Sequence, residues 1–158
     1  MHASPVTYLL ALLLGVVAGL RTMTAPALIS WAAHTGWLDL NGTWLAFVGN
    51  TWARWILTLL ALVELVVDQL PSTPSRTVPA QFGARIVTGG FSGAAIGAAS
   101  GSTIGGLIAG VAGAVIGTLG GRAGRARLAA AFGNDHPAAF IEDAVAIGAA
   151  VLIGVALR

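Results

Sequence analysis

From Phe82 to Gly121 the chain runs through forty residues with a single ionisable side chain, Arg85. As one straight helix this region would be about 60 Å long, roughly twice the hydrocarbon thickness of a bilayer. One uninterrupted span is therefore not expected. The natural break is Ser100-Gly101-Ser102-Thr103, which leaves two pieces of about 17 residues each, at the short end of the spanning range. They read as a hairpin or as a pair that dips into the membrane and returns.

The rest of the chain has the same character. It has 158 residues, of which 56% are hydrophobic and 9% charged. Soluble domains carry about 25% charged residues. So few charges cannot cover a water-facing surface, and the expected class is an all-α, polytopic transmembrane helical bundle occupying 1–158 as one transmembrane domain. All eight basic residues are Arg and the formal net charge is +2. They form no basic stripe beside an aromatic platform, so nucleic acid is not an expected partner. With no Cys, disulfides and thiolate chemistry are excluded.

Three further apolar segments flank the glycine-rich region. The first, from about Pro5 to Ala33, is interrupted by Gly19-Leu20-Arg21-Thr22-Met23-Thr24-Ala25-Pro26. Its leading run, Tyr8 to Leu20, has Arg21 after it and no basic residue before it. A secretory signal has its charge first, so this run is expected to be retained. Proline removes a backbone hydrogen bond, and a helix broken in lipid must re-satisfy its freed groups. Thr22 and Thr24 are the candidates to bond those carbonyls. The second segment, about Trp44 to Leu70, is expected to stop at Pro71, before a loop rich in Pro, Ser and Thr. Trp31, Trp37, Trp44 and Trp52 gather around the intervening polar stretch His34 to Thr43, and tryptophan prefers the headgroup level of a membrane. The last segment, about Pro137 to Leu157, follows a basic connector, Gly121 to Arg127.

Arg76, Arg85, Arg122, Arg125 and Arg127 fall on one side of the membrane only if the glycine-rich region crosses twice or returns. The tendency of cytoplasmic loops to hold Arg favours that arrangement and puts the Asp39 loop outside. Gly89, Gly93, Gly97, Gly101 and Gly105 recur at every fourth position, and Ala109, Gly113, Gly117 and Gly121 continue the spacing. Small residues at this spacing let helix backbones approach closely in lipid.

Shifting the sequence by 79 residues lays Thr24 on Thr103, Leu28 on Leu107, Ile29 on Ile108 and Glu64 on Asp143. Each half, 1–79 and 80–158, then reads as an interrupted helix followed by a helix carrying an acid. Such internal repeats, often inverted, build many transporters.

Charge at membrane depth costs about 2.5–3.5 kcal/mol per residue on insertion scales and usually marks a bundle interior or a hydrated path. The candidates are Arg21, Glu64, Asp68, Glu142 and Asp143. Arg21 and Glu64 are expected to pair. Asp68 reads as a surface or loop-anchoring carboxylate. Glu142 and Asp143 read either as ligands or as acids complementing the dipole of a helix's first turns. Thr22, Thr24, Ser100, Ser102 and Thr103 are candidate polar ligands at the two breaks. Carboxylates and hydroxyls could hold a hard cation or carry a proton, and Arg21 an anion, so the sign of the solute and the presence of a metal stay open. His2, His34 and His136 fit no metal spacing, and no nucleophile or phosphate-loop motif is present. Neither enzymatic activity nor a cofactor is expected.

Gly19 to Pro26, Glu64-Leu65-Val66-Val67-Asp68-Gln69-Leu70-Pro71, the Glu142-Asp143 pair and the glycine-rich region together resemble a family of small bacterial integral-membrane proteins catalogued only as a domain of unknown function. The resemblance implies a multi-pass protein of the bacterial inner membrane and carries no assigned activity. The expected function is a small transporter or channel for an ion or small polar solute, in a homo-oligomer within the lipid bilayer. The alternative is a structural or accessory membrane protein that binds a partner or lipid headgroups.

Overall fold

The computed structural model describes residues 4–68 and 77–158, and every regular element among them is a helix. The elements are α1 (Pro5–Leu20), α2 (Thr24–His34), a short 3-10 turn (Ala46–Gly49), α3 (Thr51–Val67), α4 (Pro79–Ala99), α5 (Thr103–Phe132) and α6 (Asp135–Ala156). The Pro71 stop and most of the loop after it lie outside the described residues.

Direction follows from which residues meet. Tyr8 reaches Ser102 and Gly19 lies against Ala114 and Gly117, so α1 and α5 are parallel. Gly97 meets Gly106 while Gly89 meets Gly110, so α4 is antiparallel to both. Arg125 of α5 meets Glu142 across the turn at Gly133, so α6 returns along α5. Arg21 meets Asp143 and Leu28 meets Gly154, so α2 runs with α6 and against α1. Trp31 bonds Thr58 and Met23 bonds Glu64, which sets α3 against α2. The six helices alternate in direction along the chain.

The break between α1 and α2 is thus a reversal, at Arg21-Thr22-Met23. Pro26 is not its cause. It lies in the first turn of α2, where its missing N–H would have had no helical partner. Ser4 caps the start of α1 by accepting from the Thr7 amide at 3.3 Å. The Ser100-Gly101-Ser102 break falls where the sequence places it, but the flanking helices are longer than 17 residues, at 21 and 30. Gly101 takes φ +74° there, a conformation that favours glycine. The expected connector from Gly121 to Arg127 is helical and belongs to α5. No Gly-Pro or polar turn sequence interrupts it before Gly133, whose φ of +66° ends the helix.

Glycine lets α1, α4 and α5 touch backbone to backbone. A methyl added at Gly93 would overlap the Gly106 carbonyl, and one at Gly113 the Leu12 carbonyl. The apolar core lies between α1, α2, α4 and α6, with Leu14, Ile29, Ile96 and Ile153 in it and Leu38, Leu45 and Val48 closing one end. Helix α3 has no buried residue. Its Trp52, Ile56, Leu59, Leu62 and Val66 face outward, as do Ile104, Ile108 and Ile116 of α5 and Val151, Leu152 and Val155 of α6. Among the described residues, α5 and α6 are long and apolar enough to cross a membrane, and α1 is apolar but shorter. This composition points to membrane association.

Candidate functional site

The charged residues gather where α1 turns into α2. Arg21 ends the apolar stretch of α1, and its side chain is fully buried. Its guanidinium pairs with Asp68, just past the end of α3, and with Asp143 of α6. The two carboxylates keep 16% and 13% of their side-chain exposure. Arg21 therefore ties the α1–α2 turn to two helices that meet it from different directions.

The expected Arg21–Glu64 pair is not formed. Glu64 instead accepts from two backbone amides of the turn, Thr22 N at 2.6 Å and Met23 N at 2.8 Å. Amides before the first turn of a helix have no partner of their own, and a carboxylate is favoured there by the helix dipole. Glu64 lies one helical turn before Asp68. The pair shares a face, so Glu64 meets the amides while Asp68 reaches the guanidinium. Of the two roles expected of Asp68, a surface or a loop-anchoring carboxylate, its contact with Arg21 fits the second: it holds the α1–α2 turn and is drawn inward by it.

The other side of the break is completed by Arg85, which the sequence offers only as a topological marker. Arg85 is 3% exposed and donates to the carbonyls of Gly19 at 2.8 Å and Leu20 at 2.9 Å. Thr118 of α5 also donates to Gly19 O, at 3.3 Å. The expected Thr22 and Thr24 hydroxyls are not the groups that hold these carbonyls. A guanidinium brings a full positive charge to the negative end of α1 and two donors in one plane, which a hydroxyl cannot match. The signal that could have found Arg85 is its isolation within forty apolar residues. Thr22 is buried beside the turn and Thr24 opens α2.

Glu142 and Asp143 do not lie in the first turn of their helix. α6 begins at Asp135, so they sit two turns in, and the helix dipole does not account for them. Their neighbours in sequence diverge in space. Asp143 faces Arg21, and Glu142 faces Arg125 at 3.6 Å. Arg125 also holds Asp135, with one contact at 2.9 Å.

The structure does not bring Ser100, Ser102 and Thr103 to this cluster. They sit at the other end of α1, where Ser100 meets Thr7 at 3.4 Å and Ser102 meets Tyr8 at 2.9 Å. Arg21 comes fourteen positions after Thr7, about 20 Å along α1. Thr103 opens α5 as Thr24 opens α2. The helices reverse at each break, so the two breaks cannot share one pocket.

The cluster contains no group of three or more His, Cys, Asp or Glu arranged to hold a metal among the described residues. Its carboxylates are directed at guanidinium and amide hydrogens rather than at one another. What the arrangement can do is exchange partners: Arg21 has two counterions on two helices, and each carboxylate could be neutralised by a proton or displaced by an anion.

No curated protein and no solved structure matches the chain. A family model described as a domain of unknown function, DUF4126, matches residues 8–156. That span contains every residue of the charged cluster, and the chain belongs to this family.

Proposed function

We propose that the chain is a multi-pass protein of the bacterial inner membrane that moves an ion or small polar solute, with the Arg21 cluster as the point where the solute is recognised. The observation that carries this reading is the convergence of Arg21, Asp68 and Asp143 from three helices on a fully buried guanidinium. A guanidinium buried from water is costly unless paired, and inside membranes such groups mark pathways and relays. A solute or proton that takes one carboxylate from Arg21 would loosen α3 or α6 from the α1–α2 turn. That is a mechanical response to binding, as transport requires.

The outward apolar faces of α3, α5 and α6 support the lipid environment. Arg21, Arg85, Arg122 and Arg125 lie toward the end of the bundle opposite the Asp39 loop, which fits that end being cytoplasmic. Helix order supports an inverted repeat of 1–79 and 80–158. α1–α3 and α4–α6 run in opposite senses, and Thr24 and Thr103 both open a helix. The acids depart from that symmetry, since Glu64 and Asp143 both sit at the first break. The outward face of α5, with Ile104, Ile108 and Ile116, offers a surface to a second copy in a homo-oligomer.

A second reading has its own observation. Both oxygens of Glu64 are taken by backbone amides and Arg21 is held on two sides, as a rigid, non-transporting scaffold would have it. Flux separates the two. The purified chain in liposomes is expected to pass protons, a monovalent ion or a small polar solute from a broad panel. Asp143→Asn, which removes one charge-assisted contact, should change that flux by about tenfold while the protein stays folded. No flux of any solute would leave the scaffold reading standing.

A further inference from the structure

At the end of the bundle away from Arg21 the tryptophans surround an arginine of a different kind. Arg54 lies in the first turn of α3, with its guanidinium carbon 4.5 Å from the Trp31 ring centre and 5.2 Å from that of Trp55. The two rings meet edge to face, centres 5.7 Å apart. Trp31 is fixed by its indole N–H donating to Thr58 at 3.0 Å, and Thr58 by donating to the Arg54 carbonyl at 2.8 Å. The shelf is therefore rigid and built from both α2 and α3.

Arg54 has no carboxylate partner and its guanidinium makes no hydrogen bond to the described residues; its Nε is buried without an acceptor. Helix stability does not explain it. A cation in a first turn meets the positive end of the helix dipole. The N-cap Asn50 gives no side-chain bond, and no acid lies in that turn. Arg21, Arg85 and Arg125 all have protein acceptors. Arg54 has aromatic faces, which orient a guanidinium but do not accept its in-plane hydrogens.

Below Arg54, on the same helix, Ile56, Leu59, Leu60, Leu62 and Val63 are exposed. Above it Trp52 is 80% exposed and Trp44 67%, as residues at a headgroup boundary are. A planar cation at that boundary with apolar surface continuing toward the bilayer centre matches one molecule with an anionic head and two acyl chains. We infer that Arg54, held on Trp31 and Trp55, binds the phosphate of an anionic phospholipid whose chains lie along the outer face of α3. A guanidinium takes a phosphate through two parallel N–H donors, and the terminal nitrogens of Arg54, unlike its Nε, are not buried.

The inference rests on the chain being membrane-embedded and not on its transporting anything. The test is native mass spectrometry of the full chain in a neutral maltoside detergent. Dioleoyl phosphatidylglycerol or dioleoyl phosphatidylcholine is added at equal concentration. The wild-type chain should retain the anionic lipid about tenfold better than the zwitterionic one, the worth of one charge-assisted pair. Arg54→Gln should abolish that preference, and Arg54→Lys, which keeps the charge but not the fork, should restore part of it. Arg122→Gln, at the opposite end, should leave it intact. Retention of equal amounts of both lipids by the wild-type chain overturns the proposal. So does equal loss in Arg54→Gln and Arg122→Gln, which would mean general attraction only. Competition by millimolar inorganic phosphate that strips the lipid would assign the site to a free anion instead. The membrane reading is checked separately, by flotation of the chain with liposomes after alkaline carbonate. Its failure is a different result from loss of lipid selectivity in a chain that floats.

Discussion

The two breaks of the bundle solve one problem in opposite ways. Between α4 and α5 the chain reverses at Ser100-Gly101-Ser102 using local means, a positive φ at Gly101 and a bond from the Ser102 amide to Gly97 O at 2.8 Å, to which Thr7 and Tyr8 of α1 add only neutral hydroxyl contacts. Between α1 and α2 it reverses at Arg21-Thr22-Met23 with no glycine. The freed groups are met by charged side chains from afar: Arg85 on the carbonyls, Glu64 on the amides, Asp68 and Asp143 on Arg21. A turn satisfied locally is complete once its hairpin has formed. A turn satisfied by α3, α4 and α6 exists only when the whole bundle is assembled, and any movement of those helices acts on it.

Replacing Arg21 by Met should be the most damaging single change, because it strands two carboxylates, at a cost of about 3–5 kcal/mol. Unfolding in detergent, followed by circular dichroism, measures it. Combining Arg21→Met with Asp68→Asn and Asp143→Asn should recover most of that loss; a triple variant as unstable as the single one would show that the pairs are not what Arg21 supplies. Arg85→Gln comes next, at about 1.5–3 kcal/mol for hydrogen bonds to a charged group, read in the same assay. If it proves neutral, the carbonyls of Gly19 and Leu20 do not depend on it. Gly101→Ala should cost about 1–2 kcal/mol through its left-handed backbone alone. Ser102→Ala should be the mildest, about 0.5–1.5 kcal/mol for one neutral bond to Tyr8, and Tyr8→Phe should match it without adding to it. Should Ser102→Ala rival Arg21→Met, the contrast between the breaks would collapse.

Much of this layout was legible in the sequence. The apolar length from Phe82 to Gly121 demanded a turn, and Ser100-Gly101-Ser102-Thr103, its densest run of hydroxyls, was the natural place for it. Charge scarcity pointed to a membrane, and burial cost made candidates of Arg21, Glu64, Asp68, Glu142 and Asp143, with Asp68 read as a surface or loop-anchoring carboxylate. Their pairing was not legible. Glu64 and Asp68 share a helix face, so either could meet Arg21. The choice depends on where the turn amides point, which is fixed only when α2 folds back. That reversal was hidden too, because a broken helix can continue or return with the same composition. Arg85 was hidden by its role. Its partners are main-chain oxygens, which leave no complementary residue in the sequence. The glycines of α5 show the same limit. The fourfold spacing from Gly89 runs through Gly105 and Gly113, yet the close approach to α4 is made by Gly106 and Gly110, a register set by the turn.

The counterions of Arg21 come from opposite halves of the polypeptide, and this sets an order of events at synthesis. Asp143 is made 122 residues after Arg21, a wait of roughly ten seconds at ordinary ribosome speeds. Until then the arginine must rest against water, a headgroup or Asp68 alone. Ribosomal emergence of the sixth helix is thus the moment at which the first one can finally settle, and a nascent chain halted before it should remain loosely packed and open to proteolysis at Arg21.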